Sequence, residues 1–260
     1  HKALARQANE LSRIQQISDY DFYLEFQPQV STRTGLCTGC EALMRARDAQ
    51  GKVHSPWEFL QWLAQAQLMP DVDVWVASQA VRQYQKWQKL GFVLPMTINI
   101  SSATLTDAAY GERLVEILAQ AHGHVSVEIT EDALVGDIQV TRQTIQKLQA
   151  IGAKVYIDDF GTGFSALSYL HQFPVDFIKI DRSFVVAQRD PKGAQVMTGM
   201  LRFCEALNLG VVVEGVETAE QLAFLNTGAE LIIQGWYFSK ALPADQLEDF
   251  VRERAALAQA

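Results

Sequence analysis

The sequence predicts an α/β fold, a modified TIM (β/α)8 barrel whose first strand runs antiparallel to the others. Short apolar, β-branched runs alternate with helical patterns over about 240 residues, which favours a barrel over an open sheet. Only a short turn separates the first two predicted strands, so they can pair antiparallel and leave no room for a helical crossover. Neither a Pro/Gly/Ser-rich linker nor a low-complexity segment divides this block.

The predicted elements follow in a regular order. The eight strands span residues 22–29, 36–44, 95–100, 125–129, 153–157, 176–180, 211–213 and 231–233. Ser55 and Glu58 form a capping-box pattern around Pro56, and this pattern predicts the start of the first barrel helix. Further helices are predicted at 71–90, 107–121, 137–151, 165–170, 193–209, 218–226 and 244–257, and glycines follow several of them as expected for helix ends.

Composition limits the possible functions. The 260 residues are 48% hydrophobic and carry a net charge of −8, which is typical of a globular domain and gives no general attraction to nucleic acid or anionic membrane. A phosphate ligand would therefore need a local cation. No apolar run is long enough to span a bilayer, and no signal peptide is apparent.

Two domain assignments follow from the pattern. Residues 1–20 are charged and helix-forming, with apolar residues near one face, and are predicted to be a linker helix from an upstream domain. Residues 21–260 are predicted to form the barrel.

Cys37 and Cys40 spell C-x-x-C, but residues three apart on a strand face opposite sides, so chelation or redox use is not expected.

Polar residues stand at the ends of seven successive predicted strands, where none is required by the apolar run. In a barrel the carboxyl ends of the strands converge on one face, which is where active sites lie. Each residue alone is more often a solvated strand end, and the Asp158-Asp159 pair with its two glycines also fits a solvated turn. The expected ring contains five carboxylates, two amides and one amine: Glu41, Glu128, Asp158, Asp159, Glu214, Asn99, Gln234 and Lys179.

Oxygen ligands of this kind suit Mg²⁺ or Mn²⁺. The carboxylate count would serve two ions of the type that activate water in phosphoryl transfer, with Lys179 orienting the water or offsetting charge at phosphorus. Histidine is missing from the ring, which disfavours a zinc hydrolase. A glycosidase is the alternative chemistry, because paired acids on barrel strands can also act as acid and base.

The chain resembles the EAL family of bacterial cyclic di-GMP phosphodiesterases, whose triplet stands here as Glu41-Ala42-Leu43. The likeness covers about residues 21 to 250, and its motifs in order are specific as a set. They are Phe26-Gln-Pro28, Glu41-Ala-Leu-Met-Arg45, Ile98-Asn-Ile-Ser101, Val127-Glu-Ile-Thr-Glu131, Ile157-Asp-Asp-Phe-Gly-Thr-Gly-Phe-Ser165, Phe177-Ile-Lys-Ile-Asp181, Val213-Glu-Gly-Val-Glu-Thr218 and Gln234-Gly235.

The resemblance implies hydrolysis of cyclic di-GMP to linear pGpG with Mg²⁺ or Mn²⁺, two ions being expected. Ca²⁺ is expected to inhibit, because its longer bonds and looser geometry fit poorly where a tight octahedral ion is needed. It implies a first metal site at Glu41, Asn99, Glu128 and Asp158, and a second at Asp158, Asp159 and Glu214, with Gln234 orienting water. Lys179, Glu214 and Asp159 are the implied catalytic residues. The implied substrate contacts are Gln27, Leu43, Arg45, Asp181 and Glu217, and the implied loop anchors are Glu131 and Thr162.

The resemblance also implies a homodimer formed through the loop and helix after the fifth predicted strand. It further suggests an upstream sensor or cyclase-like domain, a cytoplasmic position for this domain and a parent protein that could be membrane-anchored. A catalytically silent cyclic di-GMP receptor remains the alternative. Departures from the family pattern at Ala46, Leu63-Ala64, Ala241 and 228–234 concern the substrate pocket and leave every proposed metal ligand in place.

Overall fold

Eight strands close into a barrel in the structure, a computed structural model that describes residues 20–134, 137–162, 170, 172–226 and 228–258. The barrel order is β1-β9-β8-β7-β6-β5-β4-β2, and β1 pairs with β2 to complete the circle. The short β3 pairs with the end of β2 and lies outside the barrel. The strands are β1 Asp21–Ser31, β2 Cys37–Arg47, β3 Val53–His54, β4 Met96–Asn99, β5 Val125–Thr130, β6 Val155–Phe160, β7 Phe177–Ile180, β8 Gly210–Val213 and β9 Ile232–Ile233.

The predicted antiparallel first strand is confirmed. β1 runs against both β2 and β9, whereas all neighbours from β2 through β4 to β9 are parallel. Gly35 in the connecting turn has φ +68°, a left-handed conformation that glycine adopts without a steric penalty. The tight turn therefore sets the register of β1 against β2 from Asp21 opposite Arg47 onward.

Helices surround the parallel strands. They are α1 Pro56–Gln65, α2 Met69–Lys89, α3 Ser102–Thr106, α4 Ala108–Leu118, α5 Ile138–Ala150, α6 Arg182–Ala187, α7 Pro191–Ala206, α8 Ala219–Phe224 and α9 Ala244–Leu257. Single 3₁₀ turns lie at Ala119–Ala121 and Glu131–Leu134. The capping boxes at Ser55/Glu58 and Thr218/Gln221 are both present.

The strands have two buried faces, which is why their sequences read as continuous apolar runs. Alternate residues such as Ile178 and Ile180 are fully buried and belong to the hydrophobic core. The residues between them face the barrel interior. At the end of the barrel where the parallel strands begin, the rings of Tyr156 and Phe177 stack with their centroids 4.4 Å apart. Phe177 also fills the space beside Gly210, where an added Cβ would lie 2.2 Å from the Phe177 ring.

Several sequence-predicted boundaries differ from the structure. The single helix predicted at 107–121 begins where expected, with Asp107 as its N-cap, but α3 precedes it and a 3₁₀ turn ends it. The short α6 and β3 were not predicted, since both are too brief to show a periodicity. The predicted helix at 165–170 lies outside the described residues except for Leu170, and the predicted linker helix lies outside them except for Tyr20.

The cysteines are free thiols, and Cys40 is fully buried while Cys37 is partly exposed. In the part of the chain that the structure describes, every helix is too short or too polar to cross a lipid bilayer.

Candidate active site at the carboxyl ends of the strands

Lys179 lies at the centre of the polar end of the barrel, with only 1% of its surface exposed. Its position on β7 between two outward-facing isoleucines directs it inward. Its Nζ lies 3.3 Å from Glu41 Oε2, 3.1 Å from Asp158 Oδ1 and 2.7 Å from Glu214 Oε1, and it also donates to Glu128. Four carboxylates, on β2, β5 and β6 and directly after β8, therefore share one ammonium group.

The charges explain how a lysine can be buried here. Burial lowers the pKa of the Lys179 ammonium, but the surrounding carboxylates, Glu128 and Glu214 foremost, outweigh burial and hold its pKa well above the ordinary value. A buried charge is tolerated when it is paired and hydrogen-bonded. Lys179 is therefore charged, and it is the cation around which the acids assemble.

Glu41 is held by two amides in addition to the lysine. Asn99 Nδ2 donates to Glu41 Oε1 at 2.6 Å, and Gln234 Nε2 donates to Glu41 Oε2 at 2.6 Å. Gln234 in turn accepts from Gln29 at 2.9 Å and donates to Gln27 Oε1 at 3.2 Å. Burial raises the pKa of Glu41, but Lys179 and these amide donors outweigh it, so the pKa lies below its ordinary value.

Glu128 and Glu214 also pair with Lys179, but no amide donor comparable to those on Glu41 contacts them in the part of the chain that the structure describes. Burial, followed by repulsion from Glu41, raises the pKa of Glu128 well above its ordinary value, and its buried Oε1 has no hydrogen-bond partner among the described residues. Burial raises the pKa of Glu214 to about 7 against the pull of Lys179. Burial and then the Asp158 charge raise the pKa of Asp159. The centre thus contains more negative charge than its lysine can balance.

This surplus fits divalent cations. Five carboxylates and one ammonium give the centre a formal charge of −4, which two divalent cations would neutralise. Asp158, Asp159 and Glu214 each offer an oxygen within 4.8 Å of the others, the spacing of a shared ion. The ligands are all oxygens, as Mg²⁺ and Mn²⁺ prefer.

The adjacent acids Asp158 and Asp159 reach one site because β6 is irregular. In a regular strand they would face opposite sides. The register of β6 against β7 shifts between Ile157 and Phe160, and Asp159 has φ +53°, a conformation that is uncommon outside glycine. The bulge therefore turns both carboxylates towards Glu214.

Glu131 contacts the start of the segment that follows β6. Its Oε1 accepts a hydrogen bond from the Gly161 amide at 2.5 Å, and Gly161 has φ +92°. Thr162 bonds to the Asp159 carbonyl through both its amide, at 3.2 Å, and its hydroxyl, at 2.8 Å. Both proposed anchors thus contact this turn, Glu131 from the end of β5 and Thr162 from within it.

The other predicted substrate contacts lie further from the lysine. Gln27, Leu43 and Glu217 line a pocket beside Glu41 and Glu214. Arg45 Nε is paired with Glu25 Oε2 at 2.9 Å. Asp181 caps α6 by accepting from the Ser183 amide at 2.9 Å.

Sequence reasoning missed three groups near this site. Gln29, 3% exposed, holds Gln234. Asp73 on α2 accepts from the Ser101 amide at 2.8 Å, the Ser101 hydroxyl at 2.5 Å and the Thr104 hydroxyl at 2.6 Å, which fixes the turn after Asn99. An aspartate within the apolar run of α2 was the available signal for Asp73. Trp236 lines the same pocket as Glu41.

Comparison with known proteins gives one consistent result. The family model described as EAL domain matches residues 8–241. The chain is 36% identical over 247 residues to the cyclic di-GMP phosphodiesterase NbdA of Pseudomonas aeruginosa, covering 92% of this chain and 31% of that protein. It is 33% identical over 229 residues to the cyclic di-GMP phosphodiesterase PdeR of Escherichia coli, covering 86% and 34%. The chain thus spans about a third of the length of these curated relatives.

Solved structures agree. The PaMucR phosphodiesterase in complex with c-di-GMP superposes with a TM-score of 0.82 at 29% identity, covering 93% of this chain and 99% of that one. The EAL enzyme Bd1971, bound to cAMP and cyclic di-GMP, gives a TM-score of 0.83 at 28% identity, covering 96% and 70%. The closed barrel with its antiparallel first strand is therefore the fold of these structures.

Proposed function

The chain belongs to the EAL domain family, and we propose that it hydrolyses one phosphodiester bond of cyclic di-GMP to linear pGpG with the aid of Mg²⁺ or Mn²⁺. The observation that carries the proposal is the convergence of Glu41, Glu128, Asp158 and Glu214 on Lys179. A receptor that only binds the ligand has no need of this excess of buried negative charge, which is costly unless cations compensate it.

The ligand roles are those that the family resemblance implies, and the close oxygens of Asp158, Asp159 and Glu214 support the second of the two sites. Glu41, Asn99, Glu128 and Asp158 would hold one ion, and Asp158, Asp159 and Glu214 would hold a second. Two such ions would activate a water and stabilise the charge on the displaced oxygen. High Ca²⁺ is expected to inhibit, because its longer and looser coordination fits poorly where a small octahedral ion is required.

The protein groups supply orientation and charge. Lys179 is held charged in a buried site. An ammonium group there stabilises negative charge that develops at phosphorus more strongly than it would in water. The amide of Gln234, fixed by Gln29 and Glu41, can orient the attacking water. Gln27, Leu43 and Glu217 line the pocket next to this centre and are proposed to contact the substrate, together with Arg45 and Asp181.

The wider context is also proposed. Residues 1–20 would link the barrel to an upstream sensor or cyclase-like domain, which is supported by the relatives' greater length. We place the domain on the cytoplasmic side, with a possible membrane anchor elsewhere in the parent protein. The homodimer interface would involve the segment after β6, much of which lies outside the described residues.

The test is product formation. Purified protein is incubated with cyclic di-GMP and Mn²⁺, and pGpG is measured by chromatography. Glu41→Ala is expected to lower turnover by more than about 100-fold, since even outer partners of a metal ligand are worth 10- to 100-fold. Glu112→Ala, which removes an exposed carboxylate on α4, is the matched control and should retain activity. Binding of cyclic di-GMP by the wild type without pGpG release would instead select the silent receptor.

A further inference from the structure

Gln29 is a buried polar residue on the inner side of β1. It is 3% exposed, and Gln234, which directly follows β9, is 4% exposed. Val30 pairs with Ile233 in the antiparallel register of β1 and β9, so Gln29 lies next to Gln234. Buried amides are stable when their donors and acceptors are paired, so the direction of each hydrogen bond between these side chains matters.

The Gln234 amide has a defined partner at each end. Its Nε2 donates to Glu41 Oε2 at 2.6 Å and to Gln27 Oε1 at 3.2 Å. Its Oε1 accepts a hydrogen bond from Gln29 Nε2 at 2.9 Å. Both N–H groups and the carbonyl oxygen of this side chain are therefore engaged, and only one orientation of the amide satisfies all three contacts.

Gln29 determines which end of the Gln234 amide faces the acid. An ionised carboxylate only accepts hydrogen bonds, so Glu41 requires the Nε2 end of Gln234. A reversed amide would set its carbonyl oxygen against the Glu41 carboxylate. A donor on the far side of Gln234 opposes that reversal, and among the described residues this donor is Gln29.

Gly39 leaves room for the Gln29 side chain. The two residues are paired across β1 and β2. A Cβ added to Gly39 would lie 3.1 Å from Gln29 Oε1 and 3.3 Å from the Pro95 carbonyl oxygen, so any larger residue would press on the Gln29 amide. Glycine at position 39 therefore keeps the Gln29 donor within reach of Gln234.

We propose that Gln29 is a positioning residue of the metal centre, because its amide fixes the orientation of Gln234 and Gln234 in turn fixes the Glu41 carboxylate for the first ion. This inference rests on the proposed function, since it deepens the role of Glu41 as a metal ligand. Gln29 acts only through Gln234. Outer partners of metal ligands are typically worth about 10- to 100-fold in metal affinity or activity.

The experiment compares Gln29→Met, which keeps the length of the side chain and removes the donor, with Gln83→Met as the matched control. Gln83 lies on α2 and lines a separate pocket beside Phe22 and Trp75. Binding of Mn²⁺ alone is measured by calorimetry, and kcat and KM for cyclic di-GMP are measured at saturating Mn²⁺. Gln234→Met and the double variant complete a cycle that tests whether Gln29 acts through Gln234.

We expect Gln29→Met to weaken Mn²⁺ binding by about 10- to 100-fold. Its kcat should fall while its KM stays close to that of the wild type, because the lost contact positions a metal ligand and does not bind substrate. Gln83→Met should bind Mn²⁺ and turn over as the wild type does. In the Gln234→Met background, Gln29→Met should have no further effect. Gln29→Lys, which retains a donor, should keep most of the Mn²⁺ affinity.

Equal Mn²⁺ affinity and kcat for Gln29→Met and Gln83→Met would overturn the positioning role, and so would independent losses that multiply in the double variant. A loss in Gln29→Lys as large as that in Gln29→Met would overturn it as well. If Gln29→Met does not fold, Gln29→Lys decides alone, because a retained donor must retain Mn²⁺ binding.

The positioning role and the proposed hydrolysis can fail separately. If the wild type binds Mn²⁺ and Gln29→Met weakens that binding, but cyclic di-GMP is not hydrolysed, the positioning role stands and the proposed hydrolysis fails. If the wild type hydrolyses cyclic di-GMP and Gln29→Met does so equally well with the same Mn²⁺ affinity, the hydrolysis stands and the positioning role fails. Absence of Mn²⁺ binding by the wild type would overturn the positioning role.

Discussion

Replacing Lys179 with methionine tests whether one buried ammonium balances the acids of the barrel. Methionine has nearly the same length and no charge, so the change removes the cation with little loss of volume. Glu41, Glu128, Asp158 and Glu214 would then face one another without it. The variant should be destabilised in the absence of metal and should lose turnover in its presence.

The magnitude follows from the burial of the group. Removing one partner of a buried ion pair costs about 3–5 kcal/mol. For a chain of this size each kcal/mol shifts the melting temperature by roughly 2–4 °C, so the expected fall is roughly 6–20 °C. The loss should be greater at pH 8 than at pH 6, because the raised pKa of Glu214, about 7, leaves that group partly neutral at the lower pH.

Thermal unfolding in EDTA and in Mn²⁺ is the assay. Mn²⁺ should recover most of the stability of Lys179→Met, because binding to the folded state alone adds about 2.7 kcal/mol at a hundredfold excess over the dissociation constant. Lys147→Met is the matched control: Lys147 pairs with Glu112 on the surface and should contribute less than about 1 kcal/mol. A metal-free Lys179→Met protein that melts within 2 °C of the wild type, by roughly the same conversion, would refute the reasoning.

Three further predictions concern the neighbouring groups. Glu131→Ala should lower turnover and speed hydrogen exchange at the Gly161 amide, which donates to Glu131 at 2.5 Å, while Glu131→Gln should recover part of both; normal exchange in the alanine variant would contradict the anchor. Burial raises the pKa of Asp73 to about 6, against hydrogen bonds from Ser101 and Thr104 that lower it. Because this pKa is raised, the stability that Asp73 contributes is present below about pH 4 and is lost as the pH rises through 6. The free energy of unfolding of Asp73→Asn, measured by urea titration, should therefore rise by up to about 3 kcal/mol relative to that of the wild type between pH 4 and 7. A difference that stays constant with pH would argue against this. Chelation with EDTA should abolish turnover, Mg²⁺ or Mn²⁺ should restore it and Ca²⁺ should not, as measured by pGpG release; restoration by Ca²⁺ would contradict the need for a small octahedral ion.

The barrel could be predicted because its two periodicities are visible in the sequence. Strands buried on both faces read as apolar runs, and capping patterns such as Thr218 with Gln221 mark where helices begin. The short α6 and β3 could not be predicted in this way, because elements of six and two residues are too short to show a hydrophobic periodicity. Asp73 was missed for a different reason: its place in an apolar run of α2 signals a buried polar group, but its partners come from packing of α2 against the turn after β4.

The acidic centre shows where alternation along a strand succeeds and where it fails. Lys179, between Ile178 and Ile180, must face the interior once its neighbours face the helices, so simple alternation places it among the carboxylates. The same rule would send Asp158 and Asp159 to opposite sides and leave only one at the site. The bulge in β6 and the positive φ of Asp159 reverse that result. Asp159 is exposed, but partial burial and the Asp158 charge still raise its pKa, and a nearby cation would offset that repulsion. The β6 bulge and the excess negative charge therefore both support the proposal of a divalent metal at this end of the barrel.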